Sequence, residues 1–113
     1  MIVYAVWEFI DMLEYSGSDE LLIGLVRTRE QASKTLDNWV KVTLDRMKTN
    51  GDKIEDYKTR TLSPDPDDPN KDGKMIEIQN VKNGCDYMRI RYEAIEVFDR
   101  EFFTKSSAYN ENL

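Results

Sequence analysis

The chain predicts an α+β domain of order ββαβββ, a mixed, mainly antiparallel sheet with one long helix on one face. Three observations predict it. Two short apolar runs, IVYAVWEF at 2–9 and LLIGLV at 21–26, flank a turn cluster at 14–19. A single stretch with 3.6-residue periodicity follows, and after it come three segments with strand-like patterning. At 113 residues there is material for one core. The expected division is a single domain over 1–101 and a polar C-terminal tail over 102–113.

The first run is β-branched and aromatic with apolar residues at both parities, which reads as a central strand buried on both faces, β1. The second run is too short for an uncapped helix and forms a hairpin with it, β2 at 21–26. Thr28 opens T-R-E-Q, a capping box in which Thr28 and Gln31 satisfy each other's backbone amides. The helix, α1, then runs to about Thr49, with Gly51 free to adopt the left-handed closing conformation. Ala32, Leu36, Trp39, Val40, Thr43 and Met47 make its buried stripe. Glu30, Lys34, Asp37, Lys41, Asp45 and Lys48 make its solvated one, with Glu30–Lys34 and Asp37–Lys41 as favourable pairs.

Residues 57–62 alternate as a half-exposed strand, β3. Residues 74–79 form β4, and 85–92 form β5. The register of the last hairpin follows from side-chain parity. A two-residue Asn83-Gly84 turn would set Ile76 against Arg91. A three-residue loop, Lys82-Asn83-Gly84 with Gly84 left-handed, sets Ile76 against Ile90, Ile78 against Met88 and Glu77 beside Arg89. Ile95 and Val97 have the opposite parity to Ile90 and Tyr92, so a bulge or break is expected near Glu93–Ala94. A crossover from β2 through α1 makes β2 and β3 parallel, and the order 2-1-5-4-3 keeps β1 central. One helix covers one sheet face. The other face is left for the tail, a second copy or a partner, with Trp7, Phe9, Phe102 and Phe103 as its candidates; the competing reading puts all four in the core.

The formal charge of −6 is unevenly spread. Asp11, Glu14, Asp19 and Glu20 fall in and around the first hairpin, and Asp65, Asp67, Asp68 and Asp72 in the stretch SPDPDDPNKDGK at 63–74. These eight residues are the candidate partner-binding set. Such a balance disfavours direct binding to phosphate backbones, which takes clustered Lys and Arg. Acidic groups at fixed spacing can instead imitate phosphates and occupy a basic groove on a nucleic-acid enzyme.

The same stretch holds part of a calcium loop: Asp68, Asn70, Asp72 and Gly73 match, but the twelfth position is Gln79 in place of a bidentate Glu. Pro66 and Pro69 oppose the entering helix such a loop needs. Asp and Gly are also the ordinary residues of a turn into a strand. The chain has no His, which removes the commonest general base and the Ser-His and Cys-His pairs. No Gly-rich phosphate loop is present. No enzyme activity and no cofactor are expected; a small carboxylate-based enzyme is the remaining catalytic alternative. The opening segment lacks a basic n-region, no apolar run reaches the roughly 20 residues of a membrane span, and Cys85 is alone. The expected compartment is the cytoplasm.

The segment VYAVWEF…LLIGLVRTREQA, a strand followed by a glycine-containing strand and a T-R-E-Q-A helix start, resembles small uncharacterised proteins of Gram-positive bacteria and their phages. That resemblance, over residues 2–36, implies the class of phage accessory proteins and anti-defence inhibitors, anti-CRISPR proteins among them. The function expected is a non-enzymatic protein-binding module, acting through its acidic surface on another protein. The alternatives are a calcium-binding module using the 68–79 loop and the small enzyme. No direct nucleic acid or membrane partner is expected, and a homodimer through the uncovered sheet face is compatible with this reading.

Overall fold

A computed structural model describes residues 1–11, 18–84 and 87–97, with the side chains of Ser18 and Tyr87 left aside. Glu14, Cys85, Phe102, Phe103 and the 102–113 tail lie outside the described residues. The strands are β1 (Ile2–Asp11), β2 (Ser18–Val26), β3 (Tyr57–Leu62), β4 (Gly73–Asn80) and β5 (Tyr87–Glu96), with α1 at Arg29–Thr49 and a 3-10 turn at Ile54–Asp56. They form one sheet of order β2-β1-β5-β4-β3. β2 and β3 do run in the same direction, but they lie at opposite edges. Every pairing is therefore antiparallel, and the sheet expected to be mixed is not.

The last hairpin takes the register that parity demands: Ile76 opposes Ile90, Ile78 opposes Met88 and Glu77 opposes Arg89, with Gly84 at φ +68°. The break expected near Glu93–Ala94 is absent. β5 pairs with β1 without interruption from Glu96 opposite Ile2 to Tyr87 opposite Asp11. The parity change has another cause. Ala94 continues the row of Met88, Ile90 and Tyr92, while Ile95 joins Val3 on the other face, which is apolar at that end too. The sheet's irregularity lies in β2, where Val6 opposes Gly24 but Trp7 opposes Leu22. Ile23 is the extra residue of that bulge.

α1 covers the face made by Val6, Ile78, Met88, Ile90 and Tyr92, against which Ala32, Leu36 and Met47 are buried. The wider stripe read from periodicity includes Trp39 and Val40, which are half-buried. Trp39 Nε1 donates to Glu8, a buried carboxylate on the same face. Both halves of the capping box are made. Thr28→Ala should therefore cost about 1 kcal/mol in chemical denaturation, with the denaturant slope unchanged. At the other end Gly51 N–H donates to Lys48 and Asp52 N–H to Met47, with Gly51 at φ +91°. This pair of bonds closes the helix as a Schellman motif. On the solvated stripe Lys34 lies 3.4 Å from Glu30. Asp37 turns away from Lys41 and lies 3.7 Å from Lys74 of β4. Among the described residues no helix is long and apolar enough to cross a membrane.

Candidate binding face

Alternation along the strands sends Ala5, Trp7, Phe9, Met75, Glu77, Arg60, Leu62, Arg89 and Arg91 to the face opposite α1. Arginines and a glutamate at the centre of a sheet are unusual neighbours for buried apolar groups, and their pairing explains how they fit. Glu77 is 2% exposed. Its Oε1 accepts from Arg60 Nε at 2.7 Å and its Oε2 from Arg89 Nε at 2.9 Å. Burial raises the cost of ionising this carboxyl, but the two guanidinium groups outweigh it and hold Glu77 below the usual carboxylate range. The triad carries a net positive charge. Arg60 makes no further hydrogen bond or ion pair among the described residues, so its terminal amino groups face solvent.

Beside the triad, Arg91 donates to Glu20 at 2.7 Å, lies 3.9 Å from Glu93 and stands 5.5 Å above the Trp7 ring. Among the described residues the buried Trp7 indole N–H has no hydrogen-bond partner, a cost that stacking against Arg91 offsets in part. The 63–71 loop rises over this floor and closes a cleft of about 700 Å³. Phe9, Leu62 and Met75 form its apolar lining, Pro64, Pro66 and Pro69 stiffen the loop wall, and Arg60, Arg89, Arg91 and Lys71 supply its basic groups.

The loop's aspartates have local duties. Asp65 Oδ1 accepts from Asp67 N–H at 2.9 Å and Asp68 Oδ1 from Asn70 N–H at 3.0 Å, two Asx turns in succession. Ser63 Oγ lies within reach of the carbonyls of Asp65 and Asp68. Asp72 is the anchor. Its two oxygens accept from Arg29 Nε and Nη2 at 3.0 and 2.9 Å, and Tyr4 donates to it at 3.1 Å. Hydrogen bonding from Arg29 holds its carboxyl below the ordinary value. Its carbonyl accepts from Ala94 N–H. The loop rests on the helix start through Arg29. Of the calcium triplet, Asp72 is turned to Arg29 and Asp68 to Asn70, and among the described residues no group of three or more His, Cys, Asp or Glu is placed to hold a metal ion.

The acidic candidates therefore separate. Asp65, Asp67, Asp68 and Asp72 belong to the loop at the helix-start end, whereas Asp19, opposite Ile10, lies toward the far end with Asp11. Glu20 joins the cleft side through Arg91. The basic floor escaped the sequence reading. Its one advance signal was the Glu77–Arg89 opposition, which parity had placed on the strands without indicating that Arg60 would complete it. No family model, curated protein or solved structure matches this chain.

Proposed function

We propose that the protein is a non-enzymatic binding module whose contact surface for another protein is the sheet face opposite α1, with the cleft at its centre and the acidic loop as one rim. The carrying observation is the floor itself, where half-buried aromatic and aliphatic groups adjoin a net-positive guanidinium–carboxylate triad. Interface centres are enriched in aromatics, Met and Arg, with polar groups around them. The carboxylates of the cleft support binding over chemistry, since Glu77 and Glu93 sit against guanidinium groups and Asp65 caps a turn. Within this reading, the resemblance of the opening segment suggests a nuclease of host defence as the partner class, with the loop aspartates facing its basic groove.

Capture from a bacterial host lysate on immobilised protein tests the proposal. Wild type should retain one protein stoichiometrically. Leu62→Glu, on the cleft floor, should weaken retention at least about tenfold while keeping the helical signal, and Asp67→Asn, at the rim, should weaken it by no more than about fivefold. Loss on Asp67→Asn with retention by Leu62→Glu would move the contact to the acidic loop alone. Release of the captured protein by added nucleic acid would support the nuclease assignment.

A further inference from the structure

The two edges of the sheet are built differently. β3 is six residues long and exposes Lys58 and Arg60, the charged blunting that edge strands commonly carry. β2 spans nine residues with no Lys, Arg or Pro, and exposes Leu21, Leu22 and Leu25. Among the described residues its outer row of backbone groups has no neighbouring strand. We propose that β2 pairs antiparallel with β2 of a second copy, joining two sheets into one.

The bulge selects the register. Residues directly opposed across an antiparallel pair share a face. Leu22 opposes Trp7 and Leu25 opposes Ala5, so both lie on the face opposite α1, although an unbroken strand would put them on different faces. Leu21 opposes Glu8 and Val26 opposes Tyr4, on the helix side. Ile23 packs on the core and Gly24 opposes Val6, again on the helix side. A two-fold axis between Ile23 and Gly24 then sets Leu22 against Leu25 of the second copy and Leu21 against its Val26. Shifting the register by one residue in either direction opposes side chains of different faces along the strand.

Charge agrees with that axis. It brings Glu20 toward Arg27 of the second copy, twice by symmetry. Arg27 is exposed and its guanidinium has no ion-pair partner among the described residues. A self-complementary patch of this kind is what a closed dimer requires. The inference does not depend on the proposed partner surface, whose cleft is lined from β1, β3, β4, β5 and the 63–71 loop; Glu20, paired with Arg91, is where the two adjoin.

Light scattering on the eluting protein at about 100 µM tests it. Wild type should have close to twice the chain mass of 13.3 kDa. Leu25→Lys should give the single-chain mass and keep the helical signal, because that side chain is exposed in the single chain. Thr59→Lys, on the opposite edge, should leave the dimer intact. Arg27→Glu should weaken the dimer at least about tenfold, and adding Glu20→Arg should restore it. A wild-type monomer at this concentration overturns the proposal, as does a dimer indifferent to Leu25→Lys. A dimer indifferent to Arg27→Glu overturns the register.

Discussion

Gly73→Ala should destabilise the fold by about 3–5 kcal/mol, the largest effect expected of a methyl group added at any of the described glycines. Gly73 begins β4 at φ +156°, opposite Glu93 of β5. A Cβ there would stand 2.2 Å from the carbonyl oxygen of Tyr92, 2.8 Å from Pro64 Cγ and 3.0 Å from Glu93 Cα. Two of these neighbours are backbone atoms of a central strand and the third is a rigid ring, so none can retreat cheaply. Relief requires opening the β4–β5 ladder or lifting the loop away from the cleft. Overpacking contributes about 1–3 kcal/mol and the backbone conformation a similar amount. Urea denaturation should show a lower midpoint with an unchanged slope. A loss under about 1 kcal/mol would mean that the loop does not close over the strand as described.

Glu77→Ala should cost about 2–3 kcal/mol at neutral pH, by leaving Arg60 and Arg89 side by side without their shared counter-charge. The figure sits below that for a fully buried pair because the two arginine side chains are 63% and 39% exposed and regain water. Glu77→Gln keeps the shape and one acceptor, and should cost about half as much. The pH dependence has a definite sign. Desolvation opposes ionisation of Glu77, the two guanidinium groups prevail, and its folded pKa lies below the unfolded value of about 4.3. The stabilisation is therefore complete above that value and is lost as pH falls through the folded pKa. The gap between wild type and Glu77→Gln should be flat from about pH 8 to about pH 6 and shrink below about pH 4. Urea titrations across that range would reveal it. A gap independent of pH would show that the pair is not ionic.

The fold was largely legible because its signals are local or set by period. Thr28 and Gln31 carry a capping box within four residues. Asn83-Gly84 and the parity of Ile76, Ile78, Met88 and Ile90 leave one acceptable register. The bulge was misplaced because two events produce the same change of parity in a sequence. A strand with an extra residue shifts its apolar row, and so does a strand whose second face becomes apolar. Ile95 follows the second course and Ile23 the first.

The candidate site was less legible, and the stretch SPDPDDPNKDGK shows why. Composition marked it as acidic, and acidity suggested a partner or a cation. In the fold, Asp65 and Asp68 spend an oxygen each on the next turn, and Asp72 is bound by Arg29, forty-three residues away in sequence. Gly73, which read as the sixth position of a calcium loop, is required by the passage of Pro64 and Tyr92 over its Cα.

Element identity, the helix caps and the hairpin register depend on neighbours a few residues apart and on side-chain period, so the chain's own order of residues settles them. Which arginines share Glu77, which cation receives Asp72, and which sheet edge is left bare depend on strands brought together from distant parts of the chain. Coulombic and steric contacts of that kind are made only when the sheet closes, and the cleft exists only because it does.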